Sequence, residues 1–226
     1  MKNKMTKKKN KGLSNKTKAL LIILLIPVAV TVFTLTAIIW TGLQNPELIR
    51  KSASALLDMK EHHSATAIPE EYIQVYKDAA EAYGIPWTLL AAHHRIETRF
   101  STMDPLLSPV GAEGHMQFMP CTFVGWRYPG CSGLGKGEIP EKDKTNPEII
   151  KQYGGYGVDA NGDGIADPYD IEDAMYSAAK YLAKSGAADG DYEKAIFDYN
   201  RSEKYVQDVL YFFDEFETYR IAIENK

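Results

Sequence analysis

Residues 19–40, ALLIILLIPVAVTVFTLTAIIW, run for 22 positions without a charge. At ~1.5 Å rise per helical residue they span about the ~30 Å hydrocarbon core of a bilayer, so the run reads as a transmembrane helix. All eight charged residues before it are lysines, and the first acid in the chain is Glu47. By the positive-inside rule the tail, residues 1–18, is cytoplasmic and everything after Trp40 is extracytoplasmic. A cleaved signal peptide is the competing reading, but the run exceeds an ordinary h-region and no A-x-A-like site follows it. The expectation is an uncleaved single-pass anchor in the cell membrane, with Pro27 a tolerated kink and Trp40 at the outer interface.

Without the lysine tail, 18 basic residues stand against 30 acidic ones, a net charge of −12. A nucleic-acid partner is excluded on that balance, since phosphate binding wants a basic face. With 226 residues, 45% of them hydrophobic, the chain can bury a core, and one main domain is expected. Residues 41–65 read as a stalk and 66–226 as that domain. The two cysteines, Cys121 and Cys131, fall on the oxidising side and flank a short loop, CTFVGWRYPGC. A disulfide between them is the expectation, and two free thiols are the alternative.

The exported part reads as mainly α. Apolar residues recur at helical spacing from Ile68 to Tyr83, with Gly84 as the stop, and again from Pro86 to about Phe100. A Gly/Pro-rich segment, 101–168, follows, too rich in aromatics and Met for a disordered linker. Helical patterns return from Ile171, with Asp170 as N-cap and Gly186 as stop, then over 190–198 and 203–223.

Three stretches can carry chemistry. In IPWTLLAAHHRIETRF the one acid is Glu97, at the edge of the apolar stripe. A carboxyl there is partly desolvated, which raises its pKa and suits a general acid, whereas a surface Glu paired with an Arg is the plainer alternative. In SPVGAEGHMQFMP, Gly111 and Gly114 permit a tight turn, and Gln117 lies between Met116 and Phe118. An amide on an apolar wall is a mixture suited to a sugar, and a packed structural loop is the alternative. In DANGDGIADPYD, Asp159, Asn161, Asp163, Gly164, Ile165, Asp167 and Asp170 match EF-hand loop positions 1, 3, 5, 6, 7, 9 and 12, with Asp for the usual Glu at 12. The shorter Asp170 reaches less far, so Asp173 is an alternative closing ligand, and the loop is expected to hold a structural Ca2+. Tyr199 and Asn200, at a helix junction, can face a cleft or cap the next helix.

In this order IETRF, GAEGHMQFMP, VDANGDGIADPYDIEDAMYSAAKYLAKSG and YNRSEKYVQDV resemble the motifs of peptidoglycan lytic transglycosylases with a lysozyme-like (SLT) domain, above all the membrane-bound lytic transglycosylase B family. The resemblance covers residues 68–215. It implies a lysozyme-like α domain with an EF-hand-like calcium loop, here preceded by one transmembrane helix, and a glycan-strand substrate. It implies Glu97 as catalytic acid and base, with Gln117 and the pair Tyr199 and Asn200 at the substrate cleft, where the apolar wall of Met116 and Phe118 read from the residues themselves would join them. The calcium ligands fall on Asp159, Asn161, Asp163, the Ile165 carbonyl and Asp173, and no organic cofactor is implied. Two departures stand out: Glu113 where many members carry Met, which keeps a hydrolytic muramidase as runner-up, and Cys121 where Ser commonly follows QFMP. An inactive, calcium-stabilised wall-binding module is the alternative from another class.

Overall fold

The computed structural model describes residues 26, 28, 30–37, 40 and 67–224. The chain divides into two compact units, Met1–Ser64 and Ala65–Lys226. In the first, the described residues are helical and their apolar side chains exposed, Phe33 and Trp40 among them. The threonine hydroxyls bond back to the helix's own carbonyls, Thr31 to Val28 and Thr36 to Phe33, which satisfies those hydroxyl donors within the helix. The lysine tail, the stalk and half of the expected anchor lie outside the described residues. Among the described residues no helix is long and apolar enough to cross a membrane.

The second unit is built from helices joined by long irregular segments: α1 (Glu70–Tyr83), α2 (Trp87–Thr98), α3 (Pro120–Val124), α4 (Glu141–Lys144), α5 (Pro147–Tyr153), α6 (Ile171–Lys184), a 3-10 turn (Ala187–Asp189), α7 (Tyr192–Tyr199) and α8 (Glu203–Glu224). Among the described residues there are no strands, only isolated bridges from Glu113 to Leu107 and to Phe118. The mainly α expectation therefore holds.

The helix α2 is the centre of the unit. Nine of its twelve residues are buried, from Trp87 through His94 and at Thr98, because α1, α6 and α8 all pack against it. Its apolar stretch Leu89–Ala92 is fully buried, and Thr88, His93 and His94 are buried with it, which makes this the interior helix. Pro86 is its N-cap, so the helix starts at Trp87, one residue later than expected. Its C-terminal end is unusual: Arg99, Phe100 and Ser101 all have positive φ (52°, 58° and 64°) without being glycine. The Arg99 and Phe100 amides return to the Arg95 and His94 carbonyls, closing the helix as a Gly would, at a cost of about 1 kcal/mol or more per left-handed residue.

At α6 the Asp170 side chain accepts from the Glu172 and Asp173 amides, the expected N-cap. The helix stops at Lys184 with Ser185 as C-cap, one residue before the expected glycine. Short helices α3 to α5 occupy the Gly/Pro-rich segment, and the structure joins Cys121 to Cys131 across it.

Candidate functional site

Glu97 lies in the last turn of α2, and its Oε1 accepts from the Tyr205 hydroxyl of α8. The side chain is half-buried and borders a cleft of about 390 Å³ lined by Ile96, Thr98, Arg99, Thr102 and Met103. Burial raises the Glu97 carboxyl to about 7, and the Tyr205 hydrogen bond opposes the rise. No neighbouring acid contributes, so this is desolvation and not the mutual repulsion of a carboxylate pair. One turn earlier His93 is fully buried, its ring edge-on to Tyr199 at 4.9 Å and to Tyr205 at 5.9 Å. His93 Nδ1 meets the Leu89 carbonyl at 3.1 Å. A carbonyl only accepts, so Nδ1 carries the hydrogen and Nε2 is a bare acceptor, without a partner among the described residues. Burial lowers His93 to about 4, and the ring beside Glu97 is neutral.

The segment 108–120 is fastened to this end of α2. Thr98 Oγ1 donates to the His115 carbonyl at 2.9 Å, and Tyr199 OH donates to the Met116 carbonyl at 2.8 Å. The Tyr199 and Tyr205 rings are parallel, with centroids 6.5 Å apart. A line of contacts thus runs from Glu97 through Tyr205 and Tyr199 to Met116. Gly114 has φ 76°, and a Cβ there would come within 1.8 Å of the Pro168 carbonyl oxygen, so only glycine fits. Gln117 also takes positive φ, 48°, and its side-chain amide donates to the Gly114 carbonyl at 2.8 Å.

The structure differs from the expected apolar wall at two positions. Met116 is fully buried and Phe118 3% exposed, both within the hydrophobic core. The left-handed turn at Gln117 redirects the chain, so that both neighbours point inward. Their side chains belong to the core and are not among those that line the cleft. Asn200 is exposed just after α7. Glu113 is not a free acid: Lys144 Nζ reaches both its oxygens, at 2.7 and 2.9 Å.

The acidic loop before α6 is built from Asx turns. Asp159 accepts the Gly162 and Gly164 amides, Asn161 that of Asp163, and Asp163 that of Ile165, all at 2.8–2.9 Å. Asp173, fully buried, accepts the Ala160 and Asp167 amides and ties the two ends of the loop together. Asp170 is committed to the helix N-terminus and Asp167 to the Tyr169 amide. Each of these oxygens keeps a second lone pair, a donor chemistry that suits a hard cation. Among the described residues, however, no three acidic, His or Cys side chains converge as a metal cage.

Tyr205 and Lys144 were not singled out from the sequence. A tyrosine on a face otherwise carrying Val and Phe is the available signal, since a buried phenol needs a partner. Lys144 gives none, because its partner Glu113 is 31 residues away.

No family model matches the chain, and no solved structure does. Over 82 residues the chain is 29% identical to the L-Ala--D-Glu endopeptidase of Bacillus subtilis (strain 168). That stretch is 36% of this chain and 25% of the relative, so the chain spans about a quarter of the length of the curated protein it matches.

Proposed function

We propose that this chain is a membrane-anchored peptidoglycan lytic transglycosylase with Glu97 as its single acid and base. The observation that carries the reading is a lone desolvated carboxyl at a cleft, raised to about 7, while the other acid of the motif region, Glu113, is held by Lys144. Hydrolytic glycosidases use two carboxylates, one of them free to activate water or attack the sugar. Intramolecular transglycosylation needs one.

In the proposed reaction the Glu97 carboxyl protonates the oxygen between MurNAc C1 and GlcNAc C4, and the C1–O bond breaks. The Glu97 carboxylate then removes the proton of the MurNAc C6 hydroxyl as that oxygen bonds to C1. The product is a 1,6-anhydroMurNAc end, no water is consumed, and Glu97 regains its proton. Burial favours the acid form needed first, and the Tyr205 hydroxyl stabilises the carboxylate needed second. Gln117 and Asn200 offer amides to sugar hydroxyls, and Tyr199 fixes the 115–118 backbone.

The likeness to an L-Ala--D-Glu endopeptidase supports the same polymer, because that bond belongs to peptidoglycan stem peptides. Residues 19–40 would anchor the protein with the Glu97 unit outside the cell membrane. The acidic loop would hold Ca2+ through Asp159, Asn161, Asp163, the Ile165 carbonyl and Asp173, supplying rigidity and charge neutralisation. The test is Glu97→Gln in the full chain: solubilisation of purified peptidoglycan should fall about 10²–10⁴-fold, and an unchanged rate would overturn the assignment.

A further inference from the structure

Five groups from separate parts of the second unit form one unbroken line. Tyr76 OH on α1 is 2.7 Å from His94 Nδ1 on α2. His94 Nε2 is 2.7 Å from Ser101 Oγ, which is 2.6 Å from His115 Nδ1. His115 Nε2 is 2.9 Å from the Tyr169 carbonyl oxygen. Burial lowers His94 to about 3 and also lowers His115, so both rings are neutral near pH 7.

The last acceptor dictates the direction of every bond before it. A carbonyl cannot donate, so His115 Nε2 carries the hydrogen and its bare Nδ1 accepts from Ser101. Having given its one proton, Ser101 Oγ accepts from His94 Nε2–H. That leaves His94 Nδ1 to accept from Tyr76. Each ring makes one bond as donor and one as acceptor, and with both rings neutral no other pattern of protons satisfies the line.

Ser101 is its hub, at φ 64°, where L residues are rare. Its amide also donates to Thr98 Oγ1, whose hydroxyl donates to the His115 carbonyl. The end of α2 is therefore tied to His115 twice, once through the backbone and once through the ring. Glu97 directly precedes Thr98, and Gln117 is two residues beyond His115.

We propose that Ser101 is a positioning residue of the candidate site: its hydroxyl locks His94 and His115 in the Nε2–H tautomer and holds the 115–118 segment in register with Glu97. Only the kinetic consequence rests on the transglycosylase reading; the tautomers and the register do not.

The test uses the full chain in detergent micelles, labelled with 15N, and compares wild type with Ser101→Gly and Ser101→Ala. Glycine relieves the positive φ while deleting the hydroxyl, so a loss seen in Ser101→Gly cannot come from backbone strain. Long-range 1H–15N correlation at pH 7 should find both rings of the wild type as Nε2–H; an Nδ1–H or doubly protonated ring would overturn the proposal. Ser101→Gly should unfold cooperatively, move the Gln117 amide resonance and lower kcat/KM on peptidoglycan about tenfold to a hundredfold. The pH at which Glu97 titrates should stay in place. An unmoved Gln117 resonance, or a wild-type kcat/KM in Ser101→Gly, would overturn it. A wild type without activity on peptidoglycan would instead remove the transglycosylase reading, leaving the tautomers and the Gln117 resonance to decide the role of Ser101.

Discussion

Replacing Glu97 by Gln should make the protein more stable at alkaline pH while removing its activity. Burial lifts the Glu97 carboxyl from 4.5 to about 7, so between those values the folded protein holds a proton that the unfolded chain releases. This contribution is fully present below about pH 4.5 and is lost as pH rises to about 7, above which folding leaves a charge in a desolvated place. At about 1.36 kcal/mol per pH unit the full cost is about 3 kcal/mol. Part of the Glu97 side chain reaches the cleft, so that figure is an upper bound. Glutamine keeps the shape, does not titrate, and still offers Tyr205 an oxygen to donate to. Urea unfolding of the two proteins should give matching stabilities near pH 4.5 and a gap of about 2–3 kcal/mol in favour of Glu97→Gln at pH 8. All other titrating groups are common to both and cancel. Stability–pH curves that run parallel would mean that the carboxyl is not desolvated, and the account of Glu97 as a tuned acid would fall with it.

Tyr205→Phe removes the group that opposes the rise at Glu97. Because the first step needs the protonated acid, activity falls as pH rises through that value, and in Tyr205→Phe the falling limb of kcat/KM should move up by about 1 pH unit; a downward move would contradict the assigned hydrogen bond. Gly114→Ala places a Cβ 1.8 Å from the Pro168 oxygen at φ 76°, and should lower stability by about 2–4 kcal/mol in thermal or urea unfolding. Calcium at about 1 mM should raise the melting temperature of the wild type and not that of Asp159→Ala; calorimetry without binding heat would remove the ion from the account.

Much of the fold could be read from the sequence because its long helices are punctuated by side chains with one physical meaning. Gly84 takes φ 68° as a helix stop, and Asp170 caps α6. The central place of α2 follows from its apolar stretch Leu89–Ala92, which is buried among its neighbours. The short helices between 120 and 153 had no comparable signal, since four to seven residues do not display a 3.6-residue period. In the candidate site, the desolvation of Glu97 was legible, because one acid stands at the edge of an apolar stripe. It was misread at Met116 and Phe118, whose burial depends on the left-handed backbone of Gln117, a conformation that glutamine does not announce. Tyr205 and Lys144 act through partners 108 and 31 residues away, and pairing at that separation is set by packing.

The most direct measurement is mass spectrometry of the soluble products formed when the full-length protein digests purified peptidoglycan, run beside Glu97→Gln. The account predicts muropeptides ending in 1,6-anhydroMurNAc, one water lighter than hydrolysis products, from the wild type and none from the variant. Reducing MurNAc ends, or anhydro products that persist in Glu97→Gln, would contradict it.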